Sequence, residues 1–206
     1  MARTDDGRTT ADVRRETIAS AALRVFSRTG YHATPVADIA AASGFSQAYV
    51  FRLFSDKLTL FLAALDLCFE RIGQAIGEGA GRATVQSPGA ILEAMGDAYA
   101  ELIADKDLLM MQVHAQSASD IPEIREAMRR GLAQVVTIAG ERSGGDQVAI
   151  QQFIAYGQLC HLIVTAGLDG IDASWARTLT EGMIHVAPAP LTAQPAEGGI
   201  APLSAR

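Results

Sequence analysis

Between Ser46 and Lys57 the run SQAYVFRLFSDK gathers side chains suited to reading and holding a polyanion. Gln47 carries a carboxamide whose oxygen and nitrogen can pair together with adenine. Tyr49 can stack on a thymine methyl or donate its hydroxyl. Arg52 and Lys57 supply positive charge for phosphate. No enzymatic constellation competes with this reading. Gly77-Glu78-Gly79 has no third glycine and follows no strand, there is no P-loop, GxSxG or HExxH, and no spacing groups a serine with a histidine and an aspartate.

Side chains of this kind need a scaffold, and the flanking pattern provides one. Ile18, Ala21, Ala22, Val25 and Phe26 recur at helical spacing, which predicts an amphipathic helix over 12–29 that Gly30 closes. Thr34 is placed to cap a second helix with Pro35 in its first turn and Val36, Ile39 and Ala40 on its apolar face. Gly44 ends that helix. Ser46 then caps a third, whose buried side is Val50 and Phe54. Small Ala40 at the crossing, Gly44 at the turn and branched Val50 in the shared core are what two helices joined by a tight turn require. In a helix-turn-helix unit the second helix enters the major groove by its N-terminal residues, which makes Gln47 to Leu53 the expected reading segment.

Beyond Lys57 the chain reads as a succession of further helices. They run from Lys57 to about Gly77, Ile91 to Ile103, Asp105 to Ala118, Glu123 to Glu141 with Pro122 at its first turn, Val148 to Leu168, and Ala173 to about Val186. The glycines from Gly77 to Gly81 read as a loop. No period-two pattern persists and no repeat is visible, so the expected fold is all-α. It comprises a three-helix helix-turn-helix domain followed by a helical bundle, about nine helices in total. The expected boundaries are 1–56 for the first domain, with 1–11 a disordered arm, 57–186 for the second, and 187–206 a Pro- and Gly-containing tail.

Charge is distributed unevenly. The chain carries −6 in total, yet residues 1–60 hold eight basic against six acidic side chains, leaving −8 on the remainder. A slightly basic head on an acidic body favours one orientation toward DNA. The N-terminus, with Arg3, Asp5, Asp6 and Arg8, lacks the apolar centre of a secretory signal, which predicts a cytoplasmic protein. Cys68 and Cys160 lie far apart without CxxC spacing, against a disulfide framework or structural zinc. The helix Val148 to Leu168 is apolar, but Gln151, Gln152, Gln158 and His161 make it a poor membrane span, and no membrane partner is expected.

In the second domain Met110, Met111, His114, Phe153, Tyr156 and Cys160 are candidate walls for an organic ligand, with His161 beside them; core packing explains them equally well. Met110 and His114 share a face at i, i+4. Cys160 and His161, being adjacent, point about 100° apart around a helix, so no metal site is expected. The apolar helix Val148 to Leu168 and the segment around Trp175, Leu179 and Met183 offer more apolar surface than one body covers, which predicts a homodimer through a four-helix interface.

Ile18, Ala21-Ala22, Phe26, Gly30-Tyr31, Thr34, Val36, Ile39-Ala40, Gly44, Ser46 and Phe51 to Lys57 together resemble the N-terminal signature of the TetR family of transcriptional regulators, over residues 12 to 61. The resemblance implies a repressor that binds a palindromic double-stranded operator as a homodimer and leaves it when a small-molecule inducer binds the C-terminal domain. It places Gln47, Ala48 and Tyr49 at base-edge positions. Phe51, Arg52, Leu53 and Lys57 fall at or near backbone-contact positions. The family often has tyrosine where Phe51 stands and tyrosine or histidine where Leu53 stands, so two phosphate donors are missing here. Phe51, adjacent to Val50 and Phe54, is equally compatible with the core. The competing expectation is a helical ligand- or partner-binding module whose helix-turn-helix has lost DNA affinity.

Overall fold

Ile18, Ala22, Leu23 and Phe26 line one side of α1 (Thr10–Ala33), and their burial is what ties the first helix to the rest of the chain. The computed structural model describes residues 10–183, which form nine α-helices and one 3-10 turn with no strand. The all-α expectation is met among those residues. Helix α1 begins inside the segment read as an arm, and residues 1–9 and 184–206, with the expected tail, lie outside the described chain.

Gly30 breaks α1 with φ 74° and ψ 178°, so the helical run to Ala33 is interrupted where the spacing predicted an end. Helix α2 (Val36–Ser43) and α3 (Gln47–Leu53) follow, joined through Gly44 in the left-handed region at φ 75°. Thr34 is not the cap expected of it. Pro35 occupies the N-cap of α2 with no side-chain bond, and the buried Thr34 hydroxyl instead donates to the Gly30 carbonyl at 2.6 Å. The break at Gly30 frees that carbonyl, and Thr34 satisfies it.

Helix α4 (Lys57–Ala80) starts on the Asp56 carboxylate, which accepts from the Thr59 backbone N–H. It runs through the glycines that read as a loop. Gly79 is helical because it lies against α5 (Pro88–Ile103): a Cβ there would stand 2.6 Å from the Ala98 Cβ and 2.8 Å from the Ala94 carbonyl oxygen. Gly79→Ala is therefore expected to lower stability by about 1–3 kcal/mol through overpacking, despite the ~1 kcal/mol that alanine gains in helix propensity. Gly96→Ala, where a Cβ meets nothing within 4 Å, should raise it. Urea unfolding of the pair checks this, and equal shifts would show that the close approach does not constrain Gly79.

Helices α6 (Lys106–Ser117), α7 (Pro122–Ser143) and α8 (Gln147–Ala166) complete the bundle, followed by the 3-10 turn Leu168–Gly170 and α9 (Ser174–Thr180). Helix α9 is shorter than the run to Val186 expected of it, ending before Gly182 at φ 78°. By length and composition alone α8 could cross a membrane. In this fold Gln151 and Gln152 are exposed, while Gln158 and His161 bond to neighbouring helices. Gln116 donates to the Gln158 carbonyl oxygen at 3.0 Å, and His161 is hydrogen-bonded to Tyr99.

Candidate nucleic-acid interface and internal cavity

Helix α3 is held from below. Val50 is fully buried and Phe54, just past its end, is buried with it, while the Ser46 hydroxyl accepts from the Tyr49 N–H at 3.2 Å. The opposite side is open. Gln47, Ala48, Phe51 and Arg52 are all exposed, and their i, i+1, i+4, i+5 spacing makes them one strip. Phe51, at 41% exposure, lies outside the core, so the alternative of a packed phenylalanine does not hold. Leu53 is half-buried against the core, and its carbonyl accepts from the Arg15 guanidinium at 2.6 Å.

Tyr49 sits between the strip and the core. Its ring stacks on Phe45 with centroids 5.1 Å apart, the Arg52 guanidinium lies 4.4 Å from its centroid, and its hydroxyl accepts from Arg14 at 3.1 Å. The bond from Arg14 holds the phenol below its ordinary pKa. With its oxygen already accepting from a cation, the hydroxyl keeps its own proton to donate, and does so more strongly. From sequence, Arg14 and Arg15 are compatible both with an N-terminal arm reaching phosphate or minor groove and with solvated charges at a helix start. Only the packing of α1 across α3 reveals that both reach the recognition helix. Lys57 is placed differently from Arg52: it is partly buried, donates to the His32 carbonyl at 3.1 Å and stands over the Tyr31 ring. That burial lowers its pKa.

A cavity of about 630 Å³ opens among α4, α5, α7 and α8. Of the expected ligand residues, Phe153, Tyr156 and Cys160 line it. Met110, Met111 and His114 do not. Met111 is fully buried in the core, and His114 turns to α1, where its Nδ1 would be 2.9 Å from a Cβ on Gly30. Sequence reasoning missed Tyr99 and Gln112, which form the buried polar end. The Gln112 amide nitrogen donates to the Leu108 carbonyl and to the Tyr99 hydroxyl, both at 3.2 Å, and Tyr99 lies 2.6 Å from His161 Nε2. Burial pushes the His161 imidazole down to about 4, so it is neutral and shares a single hydrogen bond with the Tyr99 hydroxyl. No periodicity signals these residues, because the cluster forms only where α5, α6 and α8 meet.

Residues 18–64 match the model of the bacterial regulatory proteins of the tetR family, a span that contains the buried face of α1, both helices of the turn and the start of α4. Over those residues the chain is similar to that family. No curated protein matches the chain. Among solved structures, the fold is similar to that of the transcriptional regulator FadR from Bacillus subtilis in complex with stearoyl-CoA, 17% identical with a TM-score of 0.62 over 82% of this chain and 99% of that one. FadR from Bacillus halodurans is 18% identical, TM-score 0.60, over 84% and 97%. A TetR-like transcriptional regulator from Rhodococcus sp. RHA1 is 20% identical, TM-score 0.60, over 84% and 94%. The TetR-family fold thus extends past the matched domain into the bundle.

Proposed function

We propose that this chain is a TetR-family transcriptional repressor, a homodimer that seats two copies of α3 in successive major grooves of a palindromic operator and releases it when a small molecule occupies the cavity. The observation that carries this reading is the exposed strip Gln47, Ala48, Phe51 and Arg52 on a helix capped by Ser46 and anchored by Val50. In the reading, Gln47 and Ala48 meet base edges, Phe51 makes an apolar contact, and Arg52 neutralises phosphate. Tyr49, with its proton free and its oxygen held by Arg14, takes over the donor work that Phe51 and Leu53 do not supply. Residues 1–56 act as the DNA-binding unit and 57–186 as the effector and dimerisation unit.

Two further features support the scheme. Trp175, Val148, Tyr156 and Leu162 are each more than half exposed, an apolar surface along α8 and α9 that a second copy would cover. Light scattering at micromolar concentration should give the dimer mass, and a monomer there would remove the paired recognition helices from the scheme. Helix α6 connects the cavity to the reading head. Gln112 faces the cavity, while Asp107 accepts from the Ser27 hydroxyl at 2.6 Å and His114 packs under Gly30, both on α1. A ligand that prefers one position of α4 and α6 would shift α1 and change the separation of the two α3 helices from the ~34 Å that one turn of DNA demands.

The competing reading, a module without DNA affinity, draws on the acidic total charge and on Lys57 being occupied by the His32 carbonyl. Salt titration on operator fragments selected from genomic DNA separates the two. If Arg14, Arg15 and Arg52 of both protomers each neutralise a phosphate, log affinity should fall with log salt at a slope of roughly −5. Absence of sequence-specific binding at every salt concentration would favour the module.

A further inference from the structure

The cavity's polar groups are one-sided, and from them we infer the class of its ligand, a lipophilic organic cation. The inference rests on the cavity being the effector site. Its wall is largely apolar and includes four aromatic rings, Phe69, Tyr99, Phe153 and Tyr156. Among the described residues the charged side chains on that wall are Glu93, Asp97 and Glu181, with no lysine, arginine or histidine. Glu93 and Asp97 stand one turn apart on the same face of α5. Elsewhere in the bundle Glu101 pairs with Arg82 and Asp66 with Arg130. Among the described residues the three cavity carboxylates have no such partner.

The buried end agrees in sign. The Gln112 amide nitrogen must face the Leu108 carbonyl, which can only accept, and this fixes the orientation of the amide. Its oxygen therefore has no partner among the described residues, on a side chain 6% exposed at the cavity wall. The Tyr99 hydroxyl is already hydrogen-bonded within the protein, to His161 Nε2 and the Gln112 amide nitrogen. A guest consequently meets acceptors and negative charge. Among the described residues a carboxylate or phosphate would meet no compensating cation, and a neutral guest would leave the half-buried Asp97 carboxylate uncompensated. A protonated amine or a delocalised cation satisfies both, and the aromatic rings add cation–π attraction.

The test uses two ions matched in shape and opposite in sign, tetraphenylphosphonium and tetraphenylborate, titrated calorimetrically into the full chain. Phosphonium is expected to bind about tenfold or more tighter than borate. In Glu93→Gln/Asp97→Asn that preference should collapse while the fold is kept, Glu93 being exposed and Asp97 half-buried at the cavity wall. Gly96→Leu, which fills a cavity-lining position where a Cβ meets nothing within 4 Å, should abolish binding, with Gly157→Leu as a second blocker if the first disturbs the melting curve. Borate binding as tightly as phosphonium, or a preference that survives loss of both acids, overturns the cation class. If such binding is still blocked at Gly96, the effector cavity itself stands. Failure of both ions to bind, or binding indifferent to both blockers, overturns the cavity reading and the class together.

Discussion

Replacing Gln47 with alanine should weaken binding to the specific operator by about 10- to 100-fold, roughly 1–3 kcal/mol, while leaving binding to unrelated duplex unchanged within about twofold. The asymmetry follows from position. Gln47 opens α3, is exposed, and makes no side-chain hydrogen bond among the described residues, which leaves its carboxamide a donor and an acceptor to offer one base. Arg52 lies on the same strip one turn later but offers charge, which every sequence presents alike. Arg52→Ala should therefore weaken specific and nonspecific complexes equally and reduce the salt slope by about one per protomer. Fluorescence anisotropy on matched and scrambled duplexes measures both. Equal losses for Gln47→Ala would mean that it reads no base.

Acid should unfold the protein partly through one side chain. His161 has its pKa pushed from 6.5 down to about 4 by burial. Between those values the unfolded chain binds a proton that the folded chain excludes. Stability is then complete above about pH 6.5, falls as pH drops, and levels off below about 4, where both states are protonated. The interval corresponds to roughly 3 kcal/mol. Carboxylates add their own acid dependence, so the readout is a difference. Urea midpoints of the wild-type chain and of His161→Gln, which can still accept from Tyr99, should diverge in pH response between 7 and 4, with the variant losing less. Parallel curves would show that His161 is not held neutral by its burial.

The helix-turn-helix was legible because its determinants are local. Ser46, Gly44, Val50 and Phe54 act on backbone a few residues away, so their types and spacing carry the geometry. Where a residue's role depends on a distant partner, the same logic failed. Gly77 to Gly81 looked like a loop because glycine is poor in helices, but Gly79 is small on account of Ala98 and the α5 backbone. Thr34 looked like a cap, yet a free carbonyl at Gly30 competed for its hydroxyl. Of the candidate ligand residues, those on α8 reached the cavity and those on α6 did not. Met110 and His114 share a helical face, but spacing cannot say whether that face meets the cavity or α1. Tyr99 and Gln112 carried no sequence signal, since an ordinary tyrosine and glutamine become a polar end only when three helices converge.

The break in α1 also bears on how freely such proteins can be recombined. At Gly30 the backbone adopts a conformation that disfavours a side chain, and the His114 imidazole from α6 fills the space a side chain would take. Head and body are thus keyed to each other across that point. A recognition domain borrowed from another regulator would bring its own residue to this elbow, and anything larger than glycine would collide with His114. Modular exchange of operator specificity between relatives is therefore expected to succeed only when positions 30 and 114 travel as a pair.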